Sequence, residues 1–380
     1  MVAVINNRIN QLFFVLIGIA LLVAMKMPER KPKPVVIGYV TGFNGLVDPS
    51  QIAAEKLTHI NYAFVNVKDN KAFLQNLKTD TTNFARLNTL KQKNPALKIL
   101  ISIGGWSWSE NFSNAVLTDS LRKGFATSAV DIIRKYRLDG VDIDWEYPGM
   151  PGEQGNVYRP EDKQNFTLMF EAIRKELDVL EKETGKKKLL TTATGGFPSF
   201  LNNTEMGKAA KYLDYINLMT YDYYSWKQAG HHTNLYDSKT SPAENSADKA
   251  IKAYLAAGVP ASKIVMGIAF YGRNFKLSPT AQKGLGDTIL DSGNSYGRGY
   301  TFMKDSLINK KGFVEYKDED AKAPYLFNAE TKQYITYDNE WSVAHKCEYV
   351  LKNKLGGVMF WEYSSDRKNY LLDQITKSFN

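Results

Sequence analysis

The chain has 380 residues, 43% of them hydrophobic and 23% charged, which is the balance of a globular protein able to form one large barrel or two ordinary domains. Its single cysteine, Cys347, excludes an intrachain disulfide framework, and the position in an apparent helix marks it as a packing residue. Of the net charge of +9, Arg8 contributes one and the segment Lys26 to Pro34 a net three, which leaves +5 from Val35 on and no clustered basic face that implies nucleic acid. The four histidines, His59, His231, His232 and His345, lack metal-ligand spacing, so neither a metal nor another cofactor is expected. The pair His231-His232 lies in a polar loop and reads as loop surface, and Lys186-Lys187-Lys188 reads as a solvated helix-to-strand turn.

Residues 1–25 hold one basic residue, Arg8, and an apolar run from Leu12 to Met25. That run has about the length of a signal-peptide core and is short for a membrane span. It reads as an export signal, with retention as an N-terminal membrane anchor as the alternative; no cysteine follows it, so lipid attachment by that route is excluded. Residues 26–34, basic and proline-rich, form a linker. From Val35 on, strand and helix patterns alternate. Strands are expected at 35–40, 58–65, 97–103, 139–146, 189–194, 215–221, 264–271 and 357–362. Helices are expected near 82–93, 119–136, 161–183 and 246–257, then from about 339 and at the C-terminus. Eight strand–helix units in this order predict an α/β fold, a (β/α)8 (TIM) barrel. The runner-up, a doubly wound open sheet, needs a nucleotide-type glycine loop that is not found. More than sixty residues separate Tyr271 from the helix near Asn339, too many for a structureless connection. They are read as a small α+β insertion between strands 7 and 8, which gives barrel segments 35–273 and 338–380 around an insertion at 274–337.

The segment Asp139-Gly-Val-Asp142-Ile-Asp144-Trp-Glu146-Tyr147-Pro148-Gly149 carries four acidic side chains in an otherwise buried strand. Alternate side chains share a face, so Asp142, Asp144 and Glu146 point one way and Val141, Ile143 and Trp145 the other. Three carboxyls in a row lose hydration and repel one another, and they coexist only if protons are shared and pKa values pushed apart. Glu146, where the strand ends, is the candidate to hold a proton near neutral pH, as a general acid must. The other readings are a metal site or a solvated acidic edge; the alternating hydrophobic residues and the lack of nearby His or Cys ligands weigh against both.

This stretch resembles the signature of glycoside hydrolase family 18, the chitinases and their relatives, whose pattern Asp-x-x-Asp-x-Asp-x-Glu is matched at Asp139, Asp142, Asp144 and Glu146. Two further motifs match, Ser102-x-Gly104-Gly105-Trp106 and Met219-Thr-Tyr221-Asp222, and the resemblance runs from Val35 nearly to the end. One departure is Thr194-Gly195-Gly196, where relatives often have a proline; it is expected to alter a groove wall only. The resemblance also accounts for the insertion, which many chitinases of the family carry at this place.

The resemblance implies retaining hydrolysis without an enzyme nucleophile. Glu146 protonates the glycosidic oxygen and the 2-acetamido carbonyl of the substrate attacks the anomeric carbon. Asp144 bonds the acetamido N–H, Asp142 shares its proton balance, and Tyr221 holds the acetamido carbonyl. Trp361 forms the floor beneath the distorted sugar. Tyr39, Phe64, Gly105, Trp106, Tyr147, Met219, Asp222 and Arg273 complete the substrate pocket at the strand ends. The expected protein is an exported, monomeric chitinase acting on chitin or N-acetylglucosamine oligomers, bound to a membrane only if its N-terminal segment is retained. The alternatives are a non-hydrolytic chitin lectin on the same barrel, or a relative acting on peptidoglycan or the chitobiose core of N-glycans.

Overall fold

The computed structural model describes residues 33–241, 244–291 and 296–380. The apolar run Leu12–Met25 and the linker through residue 32 lie outside the described residues. Among the described residues no helix is long and apolar enough to cross a membrane.

The strands and helices follow in chain order: β1 (Val35–Thr41), β2 (His59–Lys68), β3 (Lys71–Phe73), α1 (Leu77–Thr89), β4 (Lys98–Gly104), α2 (Asp119–Tyr136), β5 (Gly140–Asp144) and α3 (Asp162–Thr184). β6 (Leu189–Gly195), β7 (Tyr215–Met219), α4 (Ala247–Ala256) and β8 (Ile264–Ala269) continue the barrel, which α6 (Glu340–Lys352), β15 (Gly357–Trp361) and α7 (Tyr370–Phe379) complete. Strands β1, β2, β4, β5, β6, β7, β8 and β15 pair in parallel, and β1 bonds to both β2 and β15, which closes the barrel. Two connections differ from the expected strand–helix repeat. Short 3-10 turns, Pro49–Gln51 and Ala54–Lys56, stand between β1 and β2, and two short helical turns, Pro198–Asn202 and Met206–Ala209, between β6 and β7.

The strands are buried on both faces, and their period of two sorts the side chains. Along β1, Val35, Ile37 and Tyr39 join Ala63, Val265 and Met359 in the barrel interior, while Val36 and Val40 face the helices. Along β5, Val141, Ile143 and Trp145 pack outward, with the Trp145 ring stacked on Phe112 at 5.2 Å, so Asp142 and Asp144 are left to the interior. Helix starts follow their caps: Thr118 accepts from Leu121 N, Ser246 from Lys249 N, and Asn339 with Ser342 forms a capping box. Cys347 lies buried in α6, as its packing role requires.

Between β8 and α6 the chain builds a second, antiparallel sheet from β9 (Tyr271–Leu277), β10 (Ile289–Asp291), β11 (Tyr296–Gly299), β12 (Phe313–Asp318), β13 (Ala323–Asn328) and β14 (Gln333–Thr336), with the helix α5 (Tyr300–Ser306). β9 follows β8 after a single residue, so this sheet takes in Tyr271 and Arg273, upstream of the boundary expected at residue 274.

Two surface expectations are corrected. His231 and His232 are buried, not loop surface, because the loop folds under the second sheet: His231 Nε2 is 3.1 Å from Asp318 Oδ2, and His232 N donates to Thr336 Oγ1. Lys188 is buried too, with Nζ donating to Leu138 O at 2.9 Å, whereas Lys186 and Lys187 are exposed as expected.

Candidate active site

The three carboxyls stand in a row at the C-terminal end of β5. Asp142, at the bottom and fully buried, accepts four hydrogen bonds. Tyr39 Oη (3.0 Å) and Ser102 Oγ (2.8 Å) donate to Oδ2, and Thr191 Oγ1 (2.5 Å) and Asn217 Nδ2 (3.2 Å) donate to Oδ1. These donors come from β1, β4, β6 and β7, each from the inward-facing set of its strand. Burial raises the Asp142 pKa, and the four bonds oppose the rise. Asp144 is the reverse case. Its Oδ1 is buried without a hydrogen-bond partner, and burial followed by repulsion from Glu146 and Asp142 lifts its pKa well above the carboxylate range. Glu146 is 9% exposed, and burial pushes its pKa up to about 7, against a hydrogen bond from Tyr147 and with further lift from Asp222 and Glu153. The three environments push the proton affinities apart, which suits one acid and one supporting base.

The backbone around the row is held by one hydroxyl. Ser109 Oγ accepts from Glu146 N at 2.9 Å and donates to Gly105 O at 2.8 Å. Gly105 N in turn donates to Asp144 O at 2.7 Å. Cis peptide bonds stand at Ala63–Phe64 within β2, at Glu146–Tyr147 just past β5 and at Trp361–Glu362 at the end of β15. The Trp361 ring stacks on Phe64 at 5.4 Å with 15° between planes, and its Nε1 donates to Tyr296 Oη of the second sheet at 3.3 Å. Trp106, 48% exposed, stands edge-on to Tyr147 at 6.3 Å. On the far side, Arg273 grips Asp222 with two bonds, Nε to Oδ1 at 2.7 Å and Nη2 to Oδ2 at 2.6 Å. The guanidinium also lies 4.9 Å from the Tyr224 ring. Burial works to raise the Asp222 pKa, but His232 and Arg273 outweigh it and hold the carboxyl below its usual range. Among the described residues no group of three or more His, Cys, Asp or Glu is placed to hold a metal ion.

The profile of Glycosyl hydrolases family 18 matches residues 35–366. The chain belongs to this family. It is 44% identical to Chitinase A1 of Niallia circulans over 308 residues, which are 77% of this chain and 44% of that one. The chain thus spans less than half the length of that relative. It is 34% identical to Chitinase 1 of Aphanocladium album, covering 84% of this chain and 78% of that one. Among solved structures it is similar to a family 18 N-acetylglucosaminidase of Paenibacillus barengoltzii, with a TM-score of 0.84, 42% identity and coverage of 91% and 99%.

In this family 18 chain the structure brings Asp142, Asp144, Glu146, Tyr147, Phe64, Trp361, Asp222 and Arg273 to one rim. Met219 and Tyr221 are half-buried against the interior cluster of Val35, Ile37, Tyr39, Ala63, Val265 and Met359, and Tyr221 Oη lies 3.8 Å from Met359 Sδ. Gly105 meets the pocket through its backbone, since a Cβ there would lie 2.5 Å from the Phe64 ring. Tyr39 is placed differently from the expectation. It is 2% exposed with its hydroxyl on Asp142, so it positions the carboxylate and does not line the pocket. Sequence reading missed the roles of Ser102, Thr191 and Asn217. Their signal was present, a polar residue at an inward position of an apolar strand. It missed Tyr296 and His232 as well, and for those nothing local in the sequence points to the site.

Proposed function

We propose that this chain is an exported, monomeric chitinase that cleaves β-1,4 links between N-acetylglucosamine units with retention, by substrate-assisted catalysis. The observation that carries the proposal is the carboxyl row: a nearly buried Glu146 with a pKa of about 7, above an Asp144 oxygen that lacks a partner. The names of the relatives support the substrate class, as chitinases and an N-acetylglucosaminidase are among them.

In this reading Glu146 protonates the glycosidic oxygen as the leaving group departs. The free Asp144 oxygen receives the acetamido N–H and offsets the positive charge that forms as the acetamido carbonyl attacks C1. Asp142, with four donors already committed to it, absorbs the change in proton balance beneath Asp144. Tyr221 holds the acetamido carbonyl in line. Water then opens the oxazolinium ion, with the Glu146 carboxylate as base. Trp361, fixed by Phe64 and Tyr296, gives the distorted sugar an apolar floor. Asp222 and Arg273, tied together, bond hydroxyls or carbonyls of the chain. The residues 274–337 wall one side of the groove, and export is directed by the run Leu12–Met25.

The test is a time course on chitopentaose with the product anomers resolved. Early β-anomers are expected, and product sizes separate internal cleavage from release of terminal sugars. Cleavage of cellotetraose at a comparable rate would falsify substrate assistance. Binding of chitopentaose without cleavage would move the chain to the lectin class.

A further inference from the structure

In a parallel barrel every helix-to-strand connection ends on the face where the strands begin. Six such connections precede β4, β5, β6, β7, β8 and β15. Counted through the first residue of each strand, they hold ten Lys or Arg and two acidic residues, Asp139 and Asp214. This is a net +8, against +5 for the whole chain from Val35 on, so the rest of the barrel and insertion is net negative. The sequence hides the cluster because the ten cations come singly, in twos or in threes between residues 91 and 354. Barrel closure alone gathers them.

Both acids are already matched, Asp139 by Lys91 at 2.6 Å and Asp214 by Lys187 at 2.5 Å. Lys188 and Lys263 turn inward to backbone carbonyls. That leaves Lys93, Lys98, Arg137, Lys186, Lys211 and Lys354, all exposed except the half-buried Lys98, with no ion pair among the described residues. Helix dipoles favour cations in the last turn and account for Arg134, Lys182 and Lys352. The six unmatched cations lie past the helix ends, five in the connecting segments and Lys98 at the first position of β4. Val35, the first residue of β1, stands on the same face, so residues 1–34 join the barrel there. In sequence they add Lys26, Arg30, Lys31 and Lys33 against Glu29, preceded by the apolar run Leu12–Met25. The nine residues 26–34 reach at most about 30 Å when fully extended.

We propose that this face of the barrel docks on an anionic lipid leaflet that holds residues 12–25, so that the carboxyl groove on the opposite rim is turned outward toward polymer. The proposal rests on the export reading with the segment retained, and is independent of the catalytic roles. Anionic headgroups supply the charge the ring lacks, and the tether keeps the ring near them. The attraction acts within about one Debye length, ~8–10 Å near physiological salt, so docking is salt-sensitive.

The test is co-sedimentation of the full chain with phosphatidylcholine vesicles, with and without phosphatidylglycerol, alongside the variant K93E/R137E/K186E/K211E. The parent is expected to bind the anionic vesicles about tenfold or more tighter than the neutral ones, and the variant to lose that preference. The K→Q and R→Q version, which keeps side-chain length without reversed charge, is expected to lose part of it and serves if charge reversal impairs folding. Equal preference in parent and neutralised variant overturns the proposal. Binding of soluble polyphosphate or a DNA duplex as tightly as the vesicles overturns lipid as the partner. Hydrolysis of soluble chitopentaose, measured on the same proteins, is expected to be unchanged; if neither hydrolyses it, catalysis fails while the docking result stands.

Discussion

Glu146 loses most of its water at the end of β5, and its proton stays on to about pH 7. As a general acid it must be protonated, so kcat/KM is expected to be flat below that pH and to fall as pH rises through about 7, measured as a pH–rate profile on chitotetraose. The Glu146→Gln variant is expected to lose about 10²–10⁴ in kcat with binding of the oligomer largely kept. The same carboxyl also bears on stability. Its folded pKa lies above the unfolded value, so between about 4.5 and 7 the native state holds a proton the unfolded chain has released, and stability falls as pH rises through that window. Glu146→Gln is therefore expected to unfold at a higher temperature than the parent at pH 8 and at nearly the same temperature at pH 4. The ceiling on that gain is on the order of 3 kcal/mol at 1.36 kcal/mol per pKa unit. A thermal melt at both pH values checks the sign, and a Gln variant that is less stable at pH 8 refutes the buried-acid picture.

The turn after β4 shows how an element shapes the pocket without touching substrate. Gly105 has φ of +80°, and a Cβ there would lie 2.5 Å from Phe64, the ring against which Trp361 stacks. Gly105→Ala is expected to raise KM severalfold by displacing that stack and to cost about 1–3 kcal/mol in denaturant unfolding. A KM within twofold of the parent would mean the stack is not what holds the sugar. At this scale much was legible in the sequence. Period-two strands, the acidic row and the long insertion all declare themselves along the chain. What was not legible depends on side chains that meet only after closure. His231 and His232 look like loop polar residues until the second sheet covers them. Tyr39 looks like a pocket aromatic until its hydroxyl reaches Asp142, 103 positions away in sequence. The 3-10 turns after β1 replace a helix because only seventeen residues, 42–58, cross to β2, and those hold Pro49 and two glycines.

Across the whole molecule, one buried ion pair ties β8 to α6, two elements that the second sheet separates in sequence. Lys346 of α6 donates to Asp338 at 2.6 Å and to Thr233 at 2.7 Å, and Asp338 also accepts from Ala269 N at the end of β8. Lys346→Met is expected to cost about 3–5 kcal/mol, because it strands the Asp338 carboxylate in the interior. The double variant Lys346→Met/Asp338→Asn is expected to recover a good part of that loss in urea unfolding; no recovery would show that packing, not the stranded charge, sets the cost. The pairing of β1 with β15 has a consequence of another kind, in the order of synthesis. A chain that emerges N-terminus first meets its closing partner only when residues 357–361 have followed, and Trp361, the last aromatic of the site, arrives with them. Until then the ends of β1 lack one neighbour and Phe64 lacks the ring it stacks against. Of the side chains that build the catalytic rim, Trp361 is thus the last to be made, and a chain that has not yet reached it has no finished site with which to act on anything around it.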